Sequence, residues 1–222
     1  AMSGSRFRFS GGTGVESPAN VLTTLSAQDF RFLAIAQNDS ANITGSGLWK
    51  DKIFEKAGAL VGLPTFVVVS DVSNLSPTSL ATAINDPLWQ LCWGRNLECH
   101  PSEVSAYMAA LRAVTNASDP GASFSNQVIK GIFPQVNAAD VPLFAVNTAT
   151  LNNGITPLTT GTDAAVHIVR AITTKSLNGS NPDYSTMDVS QAYVPQFVRL
   201  HLGLKWLFEF QPANPRVTDD PD

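Results

Sequence analysis

The chain has 222 residues, of which 44% are hydrophobic and only 14% charged, with a formal net charge of −4. That length can bury a sizeable core as one domain, and no Lys/Arg cluster supplies the basic face that binding to nucleic-acid phosphates demands. No apolar run approaches the roughly 20 residues that cross a bilayer, and the first residues lack the charged-then-apolar layout of a leader.

The charged fraction sits well under the usual quarter, so Ser, Thr and Asn must carry much of the surface solvation. Such a surface suits a protein that packs against copies of itself. Cys92 and Cys99 are too few for a disulfide framework. Cys92, beside Trp89 and Trp93, reads as a buried thiol in a reducing compartment.

In chain order, Ala1–Ser5 reads as the remnant of a cleaved tag, residues 6–212 as one α/β domain and residues 213–222 as an acidic tail leading into a further region. Arg6–Phe9 alternates charge and apolar residues as a short strand does. A glycine-rich turn follows, and Ser17 then caps a helix that has Pro18 at its first position and runs to about Ala27. Phe30–Ala36 reads as a buried strand, and Asp39-Ser40 opens a helical region through Trp49, Ile53, Phe54 and Ala57. Thr65–Ser70 is β-branched or aromatic almost throughout and predicts a strand. Ser76-Pro77 starts a helix reaching Ile84 in the same serine-proline manner, and Leu88–Trp93 is the next strand. This alternation predicts an α/β fold with a central mixed, largely parallel β-sheet flanked by helices on both faces.

Beyond it, His100 and Pro101 introduce an alanine-rich helix with Val104, Met108, Ala110 and Leu111 facing inward, and Asn116–Ser125 reads as loop. Val141–Leu151 predicts a short helix closed by Asn152-Asn153-Gly154. Turns at Gly154–Pro157 and Thr160–Asp163 frame an apolar run, Ala164–Ile172, with the period of a strand at the sheet edge. A polar loop leads to Asp188, where the last helix begins and runs to Phe210. Its expected buried face is Phe197, Val198, Leu200, Leu204, Leu207 and Phe208, with Pro212 and Pro215 as its stop.

Candidate chemistry is sparse. The loop Gly11–Ser17 could aim backbone N–H groups at a phosphate-containing ligand, which leaves an α/β enzyme or binding module as an alternative reading. It lacks the Gly-Lys-Ser/Thr of a phosphate loop and the third glycine of a dinucleotide fingerprint, so a tight turn is the simpler account. His100, His167 and His201 have no metal-ligand spacing, and no Gly-x-Ser-x-Gly occurs. No catalytic, cofactor or metal residue is therefore expected. Asp183 and Asp188 read as caps of backbone donors, and Trp49, Trp89, Trp93 and Trp206 as core. Arg170, a charge in an apolar strand, must find a carboxylate in the domain or on a neighbour.

Several stretches, in order, resemble contractile tail sheath proteins, particularly those of Mu-like phages and prophages. They are Ser10-Gly-Gly-Thr-Gly with Phe30-Arg-Phe-Leu-Ala-Ile-Ala, Pro101-x-Glu103-Val-Ser-Ala with Ala109-Ala110, Asp119-Pro-Gly-Ala with Gly131-Ile-Phe-Pro134, Leu151-x-x-Gly154-Ile-Thr156, and Arg170-x-Ile172-Thr173-Thr174 with Asp183-Tyr184-Ser185 and Asp188. The resemblance implies a structural subunit and no enzyme. Such subunits assemble in six-fold rings around a tail tube and contract by rigid-body rearrangement. It implies partners in copies of itself, the tube protein, the baseplate and the tail terminator. No cofactor, nucleic acid or membrane anchor is implied, and the place of action is the virion, after assembly in the host bacterial cytoplasm. Sheath proteins of this kind are usually longer, so the chain is expected to be a truncated core, monomeric by itself. Within it, Arg170 and a stretch Thr173–Asp183 expected to be exposed, with Thr174 and Asp188, are the expected inter-subunit residues.

Overall fold

The structure is a computed structural model that describes residues 18–26, 28–58, 62–206 and 208. The expected strand Arg6–Phe9, the loop Gly11–Ser17, the side chain of Leu207 and the acidic tail lie outside the described residues. The first half alternates α1 (Ala19–Ser26), β1 (Phe32–Ala34), α2 (Ser40–Thr44), α3 (Trp49–Ala57), β2 (Phe66–Asp71), α4 (Thr78–Ile84), β3 (Trp89–Trp93) and α5 (Pro101–Ser118). The second half adds β4 (Val128–Ile129), α6 (Phe144–Asn152), β5 (Thr156–Thr160), β6 (Val166–Ile168), a hairpin of β7 (Leu177–Asn178) and β8 (Asn181–Pro182), and α7 (Val189–Lys205).

Six strands form one sheet in the order β1-β2-β3-β5-β6-β4. The first four run parallel, and β6 and β4 close the far side antiparallel. Each parallel step needs a crossover, and the helices that provide it cover both faces. Alternation along β2 divides the core: Val67 and Val69 pack with Ile43, Ile53, Leu80 and Ile84 of α2, α3 and α4, while Val68 faces Val104 and Met108 of α5. The expected mixed, largely parallel α/β architecture is the one observed.

Local physics corrects several boundaries. The helical region after Asp39 breaks in two at Gly45-Ser46-Gly47, where Gly47 takes φ +71°, a conformation that favours glycine. Asp39 caps the first piece by accepting from the Asn42 N–H at 2.8 Å. Phe30–Ala36 shrinks to a three-residue strand, only partly buried, and among the described residues β1 pairs with β2 alone. At α4 the N-cap is Pro77, so Ser76 does not cap that helix. Ala164–Ile172 contributes only Val166–Ile168 as a strand, and β6 is flanked on both sides, so it is no edge. Conversely, the supposed turn at Thr156-Pro157 is the start of β5, fully buried where it pairs with β3.

Helix α5 begins as expected, with His100 accepting from the Ser102 N–H and Pro101 at the first turn, but it continues to Ser118. Ala110 is exposed and Leu111 half-buried. The inward face is instead Val104, Ser105, Met108, Ala109, Arg112 and Asn116. Small side chains let the helix sit close on β2, where the Ser105 and Ser70 hydroxyls meet at 3.0 Å.

Arg112 is 1% exposed, and among the described residues no carboxylate forms an ion pair with it. Its Nη1 donates to Gln90 Oε1 at 3.2 Å, and its carbon centre lies 5.2 Å and 5.4 Å from the Phe66 and Phe32 ring centroids. Burial pushes the guanidinium down to about 10, against the opposing pull of Cys92 and Tyr193. The same burial pushes the Cys92 thiol up to about 12, leaving it protonated and inert.

A buried cation held by a neutral amide costs more to strand than to delete. Gln90→Leu should therefore destabilise by about 1–3 kcal/mol in chemical denaturation, because it leaves both Arg112 Nη1 and Thr156 without that partner. Arg112→Met removes the charge at similar volume and should be the milder change. The reverse ranking would mean the guanidinium is a net stabiliser.

Candidate functional site

The stretches that set this sequence apart, Gly154–Thr156 and Arg170–Asp188, come together in space around the first residues of β5. The Thr156 hydroxyl uses its full capacity: it accepts from Gln90 Nε2 at 3.2 Å and from the Ile172 N–H at 2.9 Å, and donates to the Ile172 carbonyl at 3.0 Å. Gly154 takes φ +74°, and a Cβ there would stand 2.7 Å from the Thr174 carbonyl oxygen, so glycine is required twice over. Thr174 thus lies beside the first residue of β3, ahead of the point where β5 begins to pair, with its N–H donating to the Trp89 carbonyl at 2.8 Å.

Thr173 and Thr174 were expected on an exposed stretch; both are buried, at 1% and 0% exposure. Buried hydroxyls must be paired, and these are. Thr173 Oγ1 donates to the Thr186 carbonyl and accepts from the Lys175 N–H, while Thr174 Oγ1 donates to the Asp86 carbonyl and accepts from the Asp86 N–H. Asn85, in the left-handed region at φ 40°, accepts from the Ser176 and Leu177 N–H groups and donates to the Leu177 carbonyl. Burial raises the neighbouring Asp86 carboxyl above its ordinary value, opposed by its bond to the Leu88 N–H and by Lys50 and Lys175. The Thr-Thr pair therefore ties the segment before the β7–β8 hairpin to the end of α4.

The remaining three residues stay at or near the surface. Arg170 lies past the end of β6, its side chain about half exposed, with Nε 3.5 Å from Asp188 Oδ2. The carboxylate it needed is thus within the domain. Asp188 also caps α7, accepting from the Ser190 N–H, while Gln191 Oε1 accepts from the Asp188 N–H in a capping box. Asp183 accepts from the Ser185 N–H at 3.0 Å, and hydrogen bonds from Ser185 hold its carboxyl below the usual value. At the other end of the strand, His167 Nε2 lies 3.0 Å from Asp163 Oδ1. That bond raises the imidazole and lowers the carboxyl.

No convergent chemistry emerges from this arrangement. Among the described residues no group of three His, Cys, Asp or Glu could hold a metal ion. An apolar groove of about 210 Å³ opens between α1, α3 and β1, floored by Leu22, Leu33, Trp49 and Ile53, and the rim pair Lys52–Glu55 closes on itself at 2.7 Å. It is smaller than a typical small-molecule site. Sequence reasoning missed Gln90, Asn85, Asp86 and Arg112, since their partners lie 22 to 92 residues away.

Thr174→Val keeps the shape but leaves the Asp86 N–H unpaired and takes from the Asp86 carbonyl one of its two donors, the other being the Trp89 N–H. It should cost about 1–3 kcal/mol in chemical denaturation, with Thr174→Ser close to wild type. The His167–Asp163 pair yields a pH dependence. The imidazole's contribution is complete below its unfolded value of 6.5 and fades as pH rises through its raised folded value. The carboxyl's contribution is complete above 3.8 and fades as pH falls through its lowered folded value. The two act together between about pH 4 and 6.5. The melting-temperature gap between wild type and His167→Gln should be widest in that window and narrow on either side.

No family model matches this sequence, and no curated protein matches it. Solved structures do. The sheath tail protein of Desulfitobacterium hafniense superposes with a TM-score of 0.64 at 14% identity over 85% of this chain, and that of Listeria innocua with 0.63 at 16% over 87%. A chain of the anti-feeding prophage baseplate, a six-fold symmetrised assembly, matches with 0.52 at 14% identity over 74% of this chain. The chain spans 42% of the length of each sheath tail protein and 44% of the baseplate chain. At these identities the likeness speaks to architecture, and over most of its residues this chain has the fold of the sheath tail proteins.

Proposed function

We propose that this chain is a structural subunit of a contractile tail sheath, from a phage or a phage-like injection machine, and has no catalytic role. The observation that carries this reading is the fold shared with two sheath tail proteins over 85–87% of the chain. The internal chemistry agrees, because the polar side chains of the motif are spent on one another and on backbone groups, and do not converge on a cavity. On this reading the subunits stack as six-fold rings around a tail tube and shorten by re-docking as rigid bodies, an exchange between two packings that needs no cofactor. The partners are copies of the chain, the tube protein, the baseplate and the tail terminator. The place of action is the virion, following assembly in the host cytoplasm.

On this reading Arg170, Asp183 and Asp188, which stay at or near the surface, take part in contacts between subunits, and Thr173 and Thr174, being buried, support them from within. The alternative of a phosphate ligand at Gly11–Ser17 has no described geometry behind it. Antibody raised against the 222-residue chain and coupled to gold should decorate particles from the producing bacterium along the whole tail shaft, as seen by electron microscopy. Label confined to another structure, or particles without label, would remove the sheath reading.

A further inference from the structure

Two stretches expected to be buried are open among the described residues. One is the end of α7, where Val198, Leu204, Trp206 and Phe208 are exposed. The other is β1, and here the backbone indicates what covers it. Along a parallel ladder, alternate residues turn their N–H and C=O groups to the same neighbour. The Arg31 carbonyl accepts from the Phe66 N–H at 2.7 Å, and the Ile35 N–H donates to the Val68 carbonyl at 3.0 Å. Leu33, between them, therefore also turns to β2, and the backbone groups of Phe32 and Ala34 point away from it. Phe32 and Leu33 are only half-buried, and Ala34 is exposed. Beside this edge lies the apolar groove between α1, α3 and β1, lined by Leu22, Leu25, Leu33, Trp49 and Ile53.

The order of the helices points to the strand that belongs there. From β1 to β2 the chain crosses the sheet through α2 and α3, and from β2 to β3 through α4. Both crossovers lie on the face that carries Val67 and Val69. Helix α1 lies on the same face, because Leu22 and Leu25 share the groove with Ile53 and with Leu33, the partner of Val67 in the ladder. Crossovers between parallel strands keep one hand, so those on one face all advance in the same direction across the sheet. A crossover through α1 that ends on β1 must therefore begin on the side of β1 away from β2. Upstream, Arg6-Phe7-Arg8-Phe9 has the alternation of a strand. The 22 residues 10–31 that follow exceed the roughly twelve that a helical crossover takes.

We propose that the segment Arg6-Phe7-Arg8-Phe9 docks along the outer edge of β1 as a parallel strand, pairs with the backbone groups of Phe32 and Ala34, and lays Phe7 and Phe9 over the groove. Successive side chains of a strand alternate, so the two phenyl rings share the face of Leu33 and the two guanidinium groups take the other. The rings remove apolar surface of the groove from water, and the pairing closes an edge that would otherwise invite another chain. The inference concerns the chain's own edge and does not rest on the sheath reading.

Hydrogen exchange, read residue by residue by NMR, tests this on the 222-residue chain and on one that starts at Ser10. The Phe32 and Ala34 amides should exchange at least about tenfold more slowly in the full chain. The Val67, Val68 and Val69 amides, inside the sheet, should be alike in both and report that the fold is kept. Paired substitutions in the full chain carry the test where the shortened chain does not fold. Phe7→Ser with Phe9→Ser should free the same two amides, and Arg6→Ser with Arg8→Ser should leave them protected. The proposal fails if Phe32 and Ala34 exchange freely in the full chain or keep their protection without residues 1–9. It fails equally if the arginine pair frees them and the phenylalanine pair does not.

Discussion

The structure depends on one saturated hydroxyl at the point where its parallel and antiparallel parts meet. Strand β5 pairs parallel with β3 over only two residues, Thr156 and Pro157, before turning its other edge to β6. So short a ladder holds little by itself. Thr156 Oγ1 reinforces it by linking Gln90 on β3 to the Ile172 backbone, and Gln90 passes the connection on to Arg112 of α5. Four elements far apart in sequence are thereby fixed in one register by groups that have no water to fall back on. Low dielectric strengthens such a chain and also makes any missing member expensive. The Thr173-Thr174 pair extends the same logic to the end of α4.

The local signals that survived in three dimensions were those whose physics is local. Phe66–Asp71 reads as a strand because β-branched residues suit a pleated surface buried on both faces, and α5 starts where its capping histidine and proline stand. Thr156-Pro157 misled because threonine, proline and a preceding glycine are turn residues, while the partner strand that makes them β lies over sixty residues earlier. Thr173-Thr174 misled because polarity was read as exposure, although a polar pair with every hydrogen bond met can be buried at little net cost. Arg112 left no mark at all: in sequence it is one arginine in an amphipathic helix.

Helix α7 misled for a different reason, which bears on function. Hydrophobic periodicity reports that a face shuns water; it does not say whether the cover comes from the same chain or from another. The first turns of α7 satisfy their apolar face internally, with Val189, Ala192 and Tyr193 buried, and beyond Phe197 the same kind of face meets solvent. At α7 an expected core proves to be a face that the described residues leave uncovered.

On the proposed reading the subunit exchanges contacts without changing shape, which calls for an interior that resists and a surface that yields. Buried polar networks tolerate few alternative arrangements, because each shift strands a donor or acceptor; apolar helix stripes can slide and re-seat with small losses per step. This chain separates the two kinds of interaction in space. The hydroxyls and amides of the motif sit around Thr156 at the middle of the sheet, and the large exposed apolar residues lie outside that network. Such a division lets a domain be moved as one body, and it follows from where hydrogen bonds and apolar area are placed rather than from any one residue.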